Sequence, residues 1–136
     1  MRTAIDSSVI LDVLVADPAH AGRSEAALRR CASEGALIVG ECVVAEITPA
    51  CPGGDSEVRE LLRDWGIEFV PSTEESATLA GTMFATYLSR RSKSGPRRVA
   101  PDFLIGAHAA LLAERLLARD RGYFRDYFKR LVLLEP

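Results

Sequence analysis

The run Ala36-Leu37-Ile38-Val39 lies between Gly35 and Gly40 and carries no polar side chain on either parity. Successive strand residues point to opposite faces of a sheet. An unbroken apolar run of this length predicts a strand covered on both faces, as in parallel sheets sandwiched by helices. Comparable short runs occur at Thr3-Ala4-Ile5, Ile67-Glu68-Phe69-Val70, Leu116-Leu117-Ala118 and Leu131-Val132-Leu133-Leu134.

Helical spacing fills the intervals. A helix is expected from Ser8 to Val15, with Val9, Ile10, Val13 and Leu14 facing inward, and Asp17-Pro18 breaks the chain after it. A second runs from Ala19 to Ser33, with Gly35 expected to close it in a left-handed conformation. Further helices are predicted over Glu41–Ala50, Ser56–Trp65, Thr73–Arg90 and Pro101–Glu114. The Ser56 helix carries Val58, Leu61, Leu62 and Trp65 on one side, and the Thr73 helix carries Leu79, Met83, Phe84, Tyr87 and Leu88. Gly122-Tyr123-Phe124 reads as a turn. Strands that alternate with helices predict an α/β chain of three α/β/α layers around a central, mostly parallel sheet of four or five strands.

At 136 residues the chain suits a single domain, 1–136. Its 48% hydrophobic and 26% charged content excludes a disordered polymer. No apolar run reaches the roughly 18–20 residues of a membrane span. The N-terminus lacks a secretory signal pattern, so a cytoplasmic location is expected. Cys31, Cys42 and Cys51 form no Cys-x-x-Cys pair and are read as packing residues. His108 shares helical spacing with Leu104 and Leu112 and is expected in the core or an interface. The net charge of −2 argues against a broadly basic nucleic-acid binder, but not against an enzyme that holds nucleic acid through metal ions.

Chemistry enters at the strand ends. In parallel sheets, ligands bind outside the C-terminal strand ends, where strand order reverses. Asp6 ends the first strand and Asp120 follows the fourth. Glu46 sits in the first turns of the helix after the second strand. Asp102 opens the helix that precedes the fourth strand, so its N-terminus returns to the same edge. Each alone has an ordinary explanation: Asp6 as a helix cap, Asp102 as a favourable charge at a helix N-terminus, Glu46 as an exposed helix residue, Asp120 as a surface ion pair with a neighbouring arginine. Their convergence on one rim is not a packing requirement. Like charges held close repel, and divalent cations relieve that repulsion. All-oxygen ligands favour Mg²⁺ or Mn²⁺. Arg90, Arg91, Lys93, Arg97 and Arg98 form a basic cluster ahead of Asp102. Arg97 and Arg98 are candidates for guiding a nucleic-acid backbone to the rim, beside the plain alternative of a solvated loop.

Four segments carry a family resemblance: Ile5-Asp6-Ser7-Ser8-Val9, Val44-Ala45-Glu46-Ile47, Pro101-Asp102-Phe103-Leu104-Ile105, and Leu117-Ala118-Arg119-Asp120-Arg121-Gly122-Tyr123-Phe124. In their order and spacing, the chain resembles the PIN-domain ribonucleases, and among them the VapC-like toxins of toxin–antitoxin pairs. The resemblance implies a PIN-like fold and a Mg²⁺-dependent endoribonuclease that hydrolyses RNA phosphodiesters with a metal-activated water, leaving 5′-phosphate and 3′-hydroxyl ends. It implies a catalytic quartet of Asp6, Glu46, Asp102 and Asp120, with metal held by Asp6, Asp102 and Asp120. Ser7 takes the place of the hydroxyl that supports a carboxylate or contacts phosphate. A VapB-like antitoxin and a homodimer are implied as well. Ala118 departs from the Thr or Ser that many relatives carry two positions before the last Asp. Competing readings are a non-catalytic PIN-fold binding module and a metal-dependent phosphatase. The phosphatase reading lacks a second Asp at position 8, which is Ser.

Overall fold

The computed structural model describes all residues except Pro96, Asp120 and Arg121. Five strands, β1 (Arg2–Ile5), β2 (Ala36–Val39), β3 (Ile67–Phe69), β4 (Arg115–Leu117) and β5 (Val132–Leu134), form one sheet in the order β3-β2-β1-β4-β5. Every pairing is parallel, with Thr3 opposite both Leu37 and Arg115, and Ile5 opposite Leu117. The sheet is thus wholly rather than mostly parallel.

Seven α-helices accompany it among the described residues: α1 (Ser7–Leu14), α2 (Ala21–Glu34), α3 (Glu41–Ile47), α4 (Asp55–Asp64), α5 (Glu74–Arg90), α6 (Ala100–Leu112) and α7 (Gly122–Tyr127). A single 3₁₀ turn, Thr48–Ala50, extends α3. α1 and α2 pack together and α2 covers β2, while α5 and α6 pack together and α6 covers β1 and β4. The central strands are therefore enclosed: Ile5, Ile38, Val39, Leu116 and Leu117 are at most 1% exposed.

Local chemistry explains the boundaries. Thr73 caps α5, accepting from the Ser76 backbone N–H while the Thr73 N–H donates to Ser76 Oγ. Gly66 follows α4 with φ +68°, where a side chain would be strained. Gly35 is not left-handed as expected but extended, and it is needed for a different reason. A Cβ there would stand 1.9 Å from the carbonyl oxygen of Met1. Gly122-Tyr123-Phe124 is also not a plain turn: it opens α7, whose Tyr123 and Phe124 are buried. Tyr123 and Tyr127 set their rings edge-on to Phe103 of α6. Tertiary packing overrides the weak helix propensity of Gly122 here. His108 is a core histidine, its Nε2 lying 2.6 Å from the Val70 carbonyl oxygen.

Candidate active site

Strand order reverses between β1 and β4, and in parallel sheets ligands bind outside the C-terminal strand ends at such a reversal. Asp6 sits on that edge. Its backbone N–H donates to the Leu117 carbonyl (2.9 Å), continuing the β1–β4 ladder by one bond. Its side chain turns back to cap α1, accepting from the Ser8 N–H (3.3 Å) and the Ser8 hydroxyl. The bland role and the candidate chemical role thus coexist. Asp6 is 8% exposed. Burial pushes its carboxyl above the ordinary range. The Ser8 and Ser7 hydrogen bonds pull it down, and the charge of Asp102 raises it further.

Glu46 projects from the last turn of α3. Ser7, buried at the start of α1, donates its hydroxyl to Glu46 Oε1 at 3.1 Å. Glu46 is also raised, first by desolvation and then by the charges of Asp6 and Asp102, with the Ser7 bond opposing. Asp102 occupies the first turn of α6. Its Oδ2 accepts the Val99 N–H at 3.0 Å, and its backbone carbonyl accepts the Tyr123 hydroxyl at 3.2 Å. The charge of Asp102 thus reaches both Asp6 and Glu46, although the three come from separate elements. None of the ion pairs among the described residues involves any of them.

Their donor set suits a hard divalent cation, since Mg²⁺ commonly keeps several waters and takes only one or two carboxylates. Among the described residues, no three acidic, histidine or cysteine side chains stand close enough to hold one ion. Asp120, the fourth predicted member, lies outside the described residues.

Several polar residues at this edge are ones that sequence reasoning passed over. Arg119 leaves β4 and sets its guanidinium two-pronged on Asp12 of α1, Nε to Oδ2 at 3.0 Å and Nη2 to Oδ1 at 2.9 Å. Asp12 is only 2% exposed and also accepts the Ser24 hydroxyl of α2 at 2.7 Å. The Arg119 N–H donates to Ser8 Oγ at 3.3 Å. A signal was present: Ser8 and Asp12 are four apart, so they share a helix face, beside the apolar stripe of Val9, Ile10, Val13 and Leu14.

The two candidate guiding arginines part company. Arg97 is exposed. Arg98 is half-buried, its guanidinium 4.4 Å from the centre of the Tyr123 ring and its N–H donating to the Tyr87 hydroxyl at 2.8 Å. Ala118 is fully buried beneath this edge.

Solved toxin–antitoxin complexes include chains of this shape. One is VapBC2 from Rickettsia felis bound to a DNA fragment from their promoter, with a TM-score of 0.75 and 15% identity over 100% of this chain and 99% of that one. The fold is the PIN fold. VapBC-1 from nontypeable Haemophilus influenzae matches it with a TM-score of 0.72 and 18% identity, over 99% of this chain and 98% of that one. FitAcB from Neisseria gonorrhoeae matches with 0.65 and 19%, over 97% and 96%. Neither a protein-family model nor a curated protein sequence matches the chain. At such identities the PIN fold is shared and the chemistry must be argued from this chain's residues. No helix among the described residues is long and apolar enough to cross a membrane.

Proposed function

We propose that residues 1–136 form a single PIN nuclease domain, a cytoplasmic, metal-dependent endoribonuclease that serves as the toxin of a toxin–antitoxin pair. The observation that carries this reading is the approach of Asp6, Glu46 and Asp102, from three separate elements, to the strand-order reversal, with no cationic side chain paired to them among the described residues. Carboxylates placed so are costly unless a cation joins them.

Asp6 and Asp102, with Asp120, would hold Mg²⁺ or Mn²⁺. Such a cation, when bound, supplies Lewis acidity toward a phosphodiester and toward water. Glu46 is suited to take the proton of the attacking water. Ser7 engages its Oε1, which fixes the carboxylate, and leaves Oε2 for the water. Its raised carboxyl is a better proton acceptor than an ordinary glutamate. Arg97, and Arg98 where it reaches past Tyr123, would draw the RNA backbone toward the rim. The neighbouring folds come from VapBC and FitAB complexes, which supports a VapB-like antitoxin as partner; a homodimer is part of the same reading.

The test uses purified protein freed of any antitoxin, mixed RNAs, and Mg²⁺ or Mn²⁺ with and without chelator, beside Asp6→Asn and Asp102→Asn. Cation-dependent cleavage lost in both variants is expected. Cleavage by both at the parental rate refutes the assignment. A second reading, a non-catalytic binding module, draws on the lack of three metal-holding side chains among the described residues. It predicts RNA or partner binding with no cation-dependent cleavage.

A further inference from the structure

We infer that Ser8, Asp12 and Arg119 are positioning residues that hold the chain leaving β4 against α1 at the rim, beside Asp6, before any cation arrives. The inference rests on the nuclease reading above.

The ladder between β1 and β4 ends with the bond from the Asp6 N–H to the Leu117 carbonyl, and Ala118 is tied on its other side to the Leu134 carbonyl at 3.0 Å. Beyond that point the sheet offers no further bond to the exiting chain among the described residues. Two contacts take over, both from α1. The Ser8 hydroxyl donates to Asp6 Oδ2 and accepts the Arg119 N–H, which uses its donor and one of its acceptor sites. One hydroxyl therefore spans the first rim carboxylate and the chain leading to Asp120. One helical turn on, Asp12 receives the Arg119 guanidinium through two parallel bonds. A fork of this kind fixes orientation as well as distance. Asp12 is itself fixed by burial and by Ser24 of α2. Main chain and side chain of residue 119 are thus both tied to one helix.

An ion pair that merely shields a buried carboxylate would affect stability alone. Positioning predicts an effect on the site at nearly unchanged stability. Arg119→Lys keeps the charge and loses the planar fork. Ser8→Ala removes the shared hydroxyl, and Ser8→Thr restores it. Expected for Arg119→Lys and Ser8→Ala is faster amide exchange at the residues after β4 in metal-free protein, a Mn²⁺ dissociation constant raised roughly 10- to 100-fold, and lower kcat with KM for RNA near the parental value. Ser8→Thr should return towards parental values in all three. Glu34→Gln, which breaks the Arg115–Glu34 pair at the far end of β4, serves as the control. It should lower the melting temperature without moving Mn²⁺ affinity. Unchanged exchange, Mn²⁺ affinity and kcat in Arg119→Lys and Ser8→Ala, in a parent that binds Mn²⁺ and cleaves RNA, overturns the positioning role alone. A parent that neither binds Mn²⁺ nor cleaves RNA overturns the nuclease reading and this inference with it.

Discussion

Replacing Asp6 by Asn should make the metal-free protein more stable while removing its response to cations. Asp6 does two jobs, and the substitution separates them. Asn ranks with Asp as a helix cap, so the bond from the Ser8 N–H survives. The negative charge does not. In the folded protein that charge is desolvated and repelled by Asp102. Burying one ion costs several kcal/mol, and charge-assisted hydrogen bonds return about 1.5–3 kcal/mol each. With the Ser8 hydroxyl and N–H as partners, the residual penalty is on the order of 1–2 kcal/mol. For a chain of this length 1 kcal/mol corresponds to roughly 3–4 °C, so the Asp6→Asn protein in chelator should melt roughly 3–8 °C above the parent. Cation at a hundred times its dissociation constant stabilises the parent by about 2.7 kcal/mol, roughly 8–10 °C. The variant should gain little or none of that. Thermal melts of both proteins, in chelator and in Mn²⁺, decide it. An Asp6→Asn protein that melts below the parent in chelator, or that gains as much from Mn²⁺, refutes the argument that Asp6 is a strained ligand awaiting a cation.

The same strain has a pH signature. Asp6 and Glu46 are both raised above their ordinary values, so the folded state binds protons more readily than the unfolded one. Their penalty is fully present above the raised values and fades as pH falls toward the ordinary values of 3.8 and 4.5. Acidification through that window should therefore stabilise the metal-free parent relative to Asp6→Asn; urea titrations of both across pH show it as a shrinking stability difference. Phe103, fully buried against Phe84, Tyr87, Tyr123 and Tyr127, should cost about 3–5 kcal/mol in urea unfolding when cut to Ala. Gly106→Ala drives a Cβ to 2.3 Å from the Phe128 ring, and overpacking of about 1–3 kcal/mol is expected, with partial recovery in combination with Phe128→Leu. Arg97→Gln should lower the salt dependence of RNA binding at unchanged melting temperature, whereas Arg98→Gln should lower both, because Arg98 also packs on Tyr123. Equal melting temperatures for the two would argue against the Arg98 contact.

The architecture was legible because its determinants are short-range. Ala36-Leu37-Ile38-Val39 announces a doubly covered strand through composition alone, and Leu37, Ile38 and Val39 are indeed at most 3% exposed. The arrival of Asp6, Glu46 and Asp102 at one edge followed from strand direction and helix polarity. What escaped depends on contacts distant in sequence. Gly35 is explained by the Met1 backbone crossing it, and α7 by aromatic partners on α6. Neither leaves a local trace. Asp12 was passed over because its partner, Arg119, is distant in sequence, although the shared face of Ser8 and Asp12 was there to be read. Asp120 lies outside the described residues, so its placement continues to rest on the sequence.

The strand order carries a temporal consequence. β1 occupies the centre of the sheet, and one of its two neighbours is β4, whose Arg115 pairs with Thr3. During synthesis β1 must wait, unpaired on that side, until β4 has emerged. Long-range parallel pairing of this kind is slow to form. Asp6 and the β4 exit therefore meet only after α6 and β4 have been made, so this rim is among the last parts of the fold to assemble.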